Sequence, residues 1–293
     1  LLLQANNSWS VGAFLKSDES AVELNADLVI PQVQAVKVRR NSVTLIIRLI
    51  VPVLIVVGWT RLAGSDVLPE NTMPTPVEVF RQWALLWQND SLLSQIGMSL
   101  RRSLSGLLIG ASLGFVLGLF SGLTTLGEEL IDAPLQMFRA IPFIALTPLF
   151  ILWFGIGESP KIILISLATY YPMYANTSTG VRNVDKKIVE CASVFGLSRK
   201  QTVRKVVIPL ALPNIFTGLR LSMVISILAL VAAEQINAQS GIGNLLLRSA
   251  NYGQNFAVFA CVIIYALAGL LADLLIRVVE RYTLRWRAGV SVR

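Results

Sequence analysis

Long apolar stretches without charge dominate the chain, in place of the short polar–apolar alternation of a soluble domain. Residues 103–127, 140–157, 162–181 and 249–272 carry no Asp, Glu, Lys or Arg. Residues 214–233 are interrupted once, by Arg220, and residues 44–60 once, by Arg48. A bilayer-crossing helix needs roughly 20 mostly apolar residues, because the backbone must satisfy its own hydrogen bonds in lipid. The pattern therefore predicts an all-α, polytopic membrane protein with six transmembrane helices, near 43–62, 102–124, 134–154, 160–180, 214–236 and 254–278. Between the first two, Pro69, Pro74 and Pro76 predict irregular backbone across 61–100. Trp83 and Trp87, four residues apart, predict a short amphipathic helix at the interface.

Composition agrees. Of 293 residues, 54% are hydrophobic and 14% charged, against about 25% charged in a soluble domain. The formal charge is +8, and its placement matters more than its size. Lys37, Arg39 and Arg40 precede the first span. Arg182, Lys186, Lys187, Arg199, Lys200, Arg204 and Lys205 lie between spans four and five, and Arg281, Arg285, Arg287 and Arg293 follow the sixth. With an even span count these fall on one side, so the positive-inside bias predicts cytoplasmic N- and C-termini. Arg101 and Arg102, at the expected outer end of span two, and Glu128 and Glu129 after it, run against that bias. Histidine is absent, which removes His-based catalysis, and Cys191 and Cys261 stand far apart. Residues 1–36 form a polar tail without a basic-then-apolar signal pattern, 37–285 the transmembrane domain, and 286–293 a basic C-terminal tail.

Within the spans, Gly110, Gly114, Gly118 and Gly122 repeat every fourth residue and predict close helix packing. Ser166, Tyr170, Tyr174 and Thr177 form a polar stripe on span four. It fits either the lining of an aqueous cavity or interfacial tyrosine with helix–helix hydrogen bonding. Arg139 either attracts anions or anchors at headgroups. Glu234 and Asp273 are intramembrane acids, and structural pairing is expected of them.

The basic segment 182–213 is the most specified loop. Asp185 is a good N-cap and Gly196 a good helix stop, Ser198 with Gln201 is a capping-box pair, and Pro209 and Pro213 are expected to break the chain before span five. A short helix carrying Ile188, Val189, Ala192 and Phe195, a glycine turn and a second helix reads as a docking element. Glu190-Cys-Ala192, Gly196 and Val206-x-Ile208-Pro209 resemble, at matching spacing, the EAA motif of ABC importer permeases. Cys191 stands where alanine is usual. Residues 130–142, Leu149 to Lys161, Ala233-Glu234 and Ser240-Gly241-Ile-Gly243 look like the branch that imports small oxyanions, with Gln136-Met-Phe-Arg139 and Leu152-Trp-Phe-Gly-Ile156 most similar to aliphatic sulfonate permeases.

That resemblance implies a type I ABC importer permease (MetI-like) fold and a non-catalytic subunit carrying a small anion. An aliphatic sulfonate is the leading cargo, with nitrate, taurine or bicarbonate as alternatives. It implies two permease copies, two cytoplasmic ATPases holding ATP and Mg, a substrate-binding protein and a bacterial cytoplasmic membrane. No cofactor or metal is expected on this chain, which has no phosphate-cradling Gly-x4-Gly-Lys-[Ser/Thr] sequence. Helix 186–195 is the implied coupling helix, with Asp185, Ile188, Glu190, Ala192, Phe195, Gly196 and Pro209 as its working residues. A stand-alone secondary transporter is the rival, and it leaves the docking loop idle.

Overall fold

The computed structural model describes residues 42–65, 72–89, 92–235 and 238–284. The expected tails 1–36 and 286–293, with the basic residues Lys37, Arg39, Arg40, Arg285, Arg287 and Arg293, lie outside them, as does Pro69. By contact the chain divides into residues 1–54 and 55–293. Of the first unit the described part is the opening of α1 (Ser42–Ala63). The second unit continues with α2 (Pro76–Asn89), α3 (Leu92–Leu123), α4 (Thr125–Arg139), a 3-10 turn (Phe143–Leu146), α5 (Thr147–Phe154) and α6 (Ser159–Arg182). Then come α7 (Lys186–Val194), α8 (Arg199–Thr202), a π-helical turn (Val203–Val207), α9 (Ile208–Gln235), α10 (Ile242–Asn251) and α11 (Asn255–Thr283).

Helices occupy all six expected positions. Among the described residues α3, the run Arg199–Gln235 and α11 are long and apolar enough to cross a membrane, and a bent pair makes a fourth candidate. α6 is long enough but rich in Ser, Thr, Tyr and Asn. It lies between α3 and α9, where Ser166, Thr169, Tyr174, Thr177 and Ser178 are buried.

The glycine ladder sets the α3–α6 contact. A Cβ on Gly110 would meet the Oγ1 of Thr169 and the carbonyl of Ser166, and one on Gly114 the carbonyl of Tyr170. A Cβ on Gly118 would come within 2.7 Å of Thr177, and one on Gly122 within 2.7 Å of Val181. Gly106 extends the ladder one step earlier, against Ile165. Both helices advance together, so they run parallel, and the α4–α5 segment returns the chain between them. α9 is antiparallel to α6: Gly180 abuts Asn214 and Gly218 abuts Asn176. α11 pairs antiparallel with α9, through Arg220 with Glu280 and Glu234 with Tyr265. The C-terminal end of α11 therefore shares an end of the bundle with the 183–207 loop.

Four expectations need correction. Span two begins ten residues earlier than expected, at Leu92, so Arg101 and Arg102 lie inside a helix and not at its end. The expected single span 134–154 is two helices bent by 85°. Pro142 brings no N–H and restricts Ile141, which interrupts the ladder there. Pro209 and Pro213 do not break the chain; Arg199–Gln235 is one helical run, whose π turn widens the hydrogen-bond register just before Pro209. The 61–100 segment is mostly ordered helix: Thr75 and Glu78 form a capping box for α2, and the Trp83 indole donates to the Ala260 carbonyl at 3.0 Å, fixing α2 to α11. Trp87 is exposed.

Placing Val at Gly110 forces α3 away from the α6 backbone and is expected to cost about 1–3 kcal/mol, measured as a lower Tm in detergent. Gly269→Ala, where the added methyl meets open space, is expected to leave Tm nearly unchanged.

Candidate functional site

The docking loop is capped at both ends. Asp185 accepts from the Lys187 N–H at 2.9 Å, satisfying a donor that the start of α7 leaves open. At the other end the Leu197 N–H donates to the Ala192 carbonyl at 3.1 Å and the Gly196 N–H to Ser193 at 3.0 Å. This double bond pattern is a Schellman stop, and it places Gly196 at φ +76°. Open space surrounds Gly196, so the backbone conformation alone demands glycine. Ser198 and Gln201 then bond reciprocally, opening α8.

The caps hold one face of α7 in and leave the other out. Ala192 is buried, and Val189 and Val184 pack on Val181, Val207 and Ala211 at the bases of α6 and α9. Val194 and Phe195 are 85% and 82% exposed, beside half-exposed Ile188. Glu190 and Cys191 are exposed on the same short helix. Pro209 sits in the first turn of α9, just beyond the π turn.

At the opposite end of the bundle lies a buried ion network that the sequence analysis missed. Arg102 is 2% exposed and Glu234 0%. The Arg102 Nη1 donates to Glu234 Oε1 at 2.7 Å and to the Ser240 carbonyl at 2.6 Å. Nε and Nη2 grip Glu158 in a two-pronged bond, at 2.5 and 2.8 Å, and Nη2 also reaches the Ser240 hydroxyl. All five guanidinium donors are thereby engaged. Glu234 also accepts from Ser99 at 2.8 Å, the Gly243 N–H at 2.9 Å and Tyr265 at 3.2 Å. Lys161, itself buried, donates to Glu158 at 3.1 Å. Two cations face two anions, so the cluster is neutral and has no free donor on Arg102 for a passing anion. Its chemistry is that of a clamp joining α3, α6, α9, the 240–243 loop and α11.

The glycines of Ser240-Gly241-Ile-Gly243 belong to that clamp. Gly241 has φ +110°, and a Cβ there would strike Glu234 and Arg102. A Cβ on Gly243 would come within 2.6 Å of the Glu234 Cβ. The signal for the network was present as the anomaly of Arg102, an arginine set against the positive-inside bias. Glu158 is half exposed and lies just outside α6. The Arg102 guanidinium, aided by Lys161, holds its carboxyl down at about 2 against partial desolvation.

The remaining expected residues are dispersed. Ser166, Tyr174 and Thr177 are buried in the seam facing α3, and Tyr170 is partly buried beside them. Ser166, Tyr174 and Thr177 thus belong to a helix–helix contact within the chain. Arg139 is exposed at the end of α4, with its guanidinium 5.4 Å from the ring centroid of Tyr171, midway along α6. Asp273 pairs with Arg277 at 2.6 Å and with Arg220 at 3.5 Å. A further cluster, absent from the sequence analysis, joins Asp132 to Ser121, Tyr174 and Arg182 near the docking loop. No metal-binding group of His, Cys, Asp and Glu occurs among the described residues.

Parallel α3 and α6, a bent return segment and a capped two-helix loop define a multi-pass helical membrane component. The sequence profile of the family described as "Binding-protein-dependent transport system inner membrane component" matches residues 106–285, and the chain belongs to that family. It is an ABC importer permease: a non-catalytic, multi-pass inner-membrane subunit that works with a separate ATPase and a substrate-binding protein. SsuC of Bacillus subtilis (strain 168), whose name assigns it as an aliphatic sulfonates transport permease, is 40% identical over 82% of this chain and 87% of its own. SsuC of Escherichia coli (strain K12), named likewise, is 42% identical over 83% of this chain and 92% of its own. The taurine transport system permease TauC of the same strain is 30% identical over 82% and 88%. The solved structure of an amino acid ABC transporter with histidines superposes with a TM-score of 0.57 at 16% identity. It covers 68% of this chain and 97% of that one, which identifies a shared fold.

Removing Arg102 leaves Glu234 charged and unpaired in the interior. Arg102→Met is expected to cost about 3–5 kcal/mol, measured as loss of monodisperse protein in detergent and a lower Tm. The depressed pKa of Glu158 sets a sign for pH. Its contribution is present above its ordinary 4.5 and is lost as pH falls toward about 2. The Tm advantage of wild type over Glu158→Gln is expected to hold down to about pH 5 and to shrink below that.

Proposed function

We propose that this chain forms the translocation pathway of an ATP-driven importer for aliphatic sulfonates, as a homodimer coupled through α7 to two cytoplasmic ATPases. The observation that carries the coupling assignment is the exposure of Val194 and Phe195 on a helix fixed by caps at both ends. Two large apolar side chains held rigidly beside Glu190 suit a groove on a soluble partner, where pre-ordering lowers the cost of docking. Asp185 and Gly196 set the pose of the helix, Ile188 widens the apolar contact, and Ala192 and Pro209 seat it on the bundle. ATP and Mg reside on the partner, and ATP-driven closure of the ATPase pair shifts the chain between two states for which that partner has different affinities.

Sulfonate as cargo rests on relatives from one organism: the chain shares 42% identity with the sulfonates permease and 30% with the taurine permease. Taurine, nitrate and bicarbonate are the alternatives. Arg139 supports an anion route, since an exposed arginine level with the middle of α6 is in an unfavourable place unless it faces water or protein. The second copy is supported by the bend at 140–142, where exposed irregular backbone at membrane depth requires protein or a water-filled cavity around it. The basic 182–205 segment argues for a cytoplasmic docking loop, and the shared end of α11 for a cytoplasmic C-terminus.

The test is uptake into proteoliposomes holding this chain, its ATPase and its binding protein, with labelled alkanesulfonate, taurine, nitrate and bicarbonate offered in parallel. Alkanesulfonate uptake that needs ATP and all three proteins is expected. ATP-dependent uptake of another anion would replace the cargo, and uptake without ATP would overturn the coupling. Gly196→Asp, which puts a side chain at φ +76°, is expected to insert normally but to lose ATPase co-purification or coupled uptake.

A further inference from the structure

Arg182 is the last residue of α6, three positions before the cap of the docking helix. Its Nη1 bonds Asp132 Oδ2 at 2.9 Å and approaches Glu128 at 3.2 Å, and its Nη2 reaches Asp132 Oδ1 at 3.2 Å and the Ser121 hydroxyl at 2.6 Å. Tyr174 and Ser121 both donate to the same Asp132 oxygen. Asp132 therefore accepts from the end of α3, from the middle of α6 and from Arg182 at the root of the docking loop.

The element that carries Asp132 has little else to hold it. On α4 only Gly127 is buried, and α4 packs chiefly against the end of α3. Beyond Asp132 the helix is largely exposed up to Arg139, where the chain bends by 85° into the 3-10 turn and α5. The Arg139–Tyr171 contact is a second tie, at the far end. A helix anchored at few points and ending at a bend transmits a push applied near its base.

We infer that Asp132 and Arg182 form the positioning pair that carries displacement of the docking loop into α4 and on to the bend. This rests on the coupling assignment of α7 above. The pair suits the task because a two-pronged arginine–carboxylate bond fixes orientation as well as distance, and because it joins the loop's root to a helix with no deep packing of its own. Arg102, by contrast, is sealed among four elements and cannot move without breaking the core.

The experiment uses the complete transporter in proteoliposomes. Cys191 is replaced by Ala, and Met137, exposed on α4, becomes the labelling site as Met137→Cys. The probe is a membrane-impermeant maleimide, and the readout is the change in its labelling rate on adding ATP. With Asp132→Asn that change is expected to fall at least about fivefold, at the low end of coupling between linked sites, while ATPase co-purification and ATP hydrolysis persist. The exchange Asp132→Arg with Arg182→Asp is expected to restore most of it, and Glu129→Gln, at an exposed neighbouring carboxylate, to leave it intact. Should Asp132→Asn fail to insert, Arg182→Lys decides, because it keeps the charge and removes the two-pronged bond to Asp132. An undiminished ATP response in Asp132→Asn, or in Arg182→Lys where that variant decides, overturns the inference. Failure of the docking assignment is distinguishable: it leaves Gly196→Asp with its ATPase attached and its labelling response unchanged.

Discussion

Between α3 and α6 there is no room for a side chain on the α3 face, and this close approach sets much of the rest. Gly106, Gly110, Gly114, Gly118 and Gly122 bring the backbone of one helix against the carbonyls and β-carbons of the other. In lipid, where apolar side chains gain little by leaving the solvent, such packing and its hydrogen bonds drive association. The contact also explains why α6 tolerates so many hydroxyl groups. Thr169 accepts a neighbour's bond through its carbonyl, from Ser222 at 2.8 Å, and its own hydroxyl bonds back to Ile165. Polar residues on a helix enclosed by α3 and α9 need not face hydrocarbon.

A parallel pair held in fixed register also fixes what meets at its two ends, and the two ends differ in kind. At the N-terminal end Arg102 spends every donor on Glu158, Glu234 and Ser240, and the loop glycines are there to let backbone reach the carboxylate. Removing one partner would strand a charge in the interior, so this end behaves as a joint. At the C-terminal end Arg182 is about one-third exposed and Asp132 about one-quarter. Water compensates part of any separation there, so the cost of rearrangement is lower. The docking loop leaves the bundle at that softer end.

Much of this was legible in the sequence, through rules of different strength. The glycine period and the caps at Asp185, Gly196 and Ser198 are local, and each corresponds to a feature of the structure. The proline rule held at one place and failed at another. Pro142 interrupts its span, while Pro209 and Pro213 were absorbed by a π turn and a continuous helix. Proline forbids one hydrogen bond, but whether the helix bends or changes register depends on neighbours distant in sequence. The ion network was legible only in fragments, as the anomaly of Arg102 and the expected pairing of Glu234. Ser99, Arg102, Glu158, Glu234 and Tyr265 meet only through tertiary packing, and Arg102 registered as a misplaced surface charge. The polar stripe on α6 was visible as a stripe, but its period could not say whether it faces water or another helix.

The bend in the return segment is where fold and transport meet. Parallel α3 and α6 require the chain to recross the bundle, and α4 with α5 does so as two helices at 85°. The break leaves 140–142 exposed beside Arg139, level with the middle of α6. A guanidinium at that depth is unstable against hydrocarbon and is satisfied by an aqueous path bounded by protein. A straight span would satisfy its own backbone and could face lipid all round. The broken one, with Arg139 beside it, supports the proposal that the pathway lies between two copies of the chain more than the apolar length of the helices does.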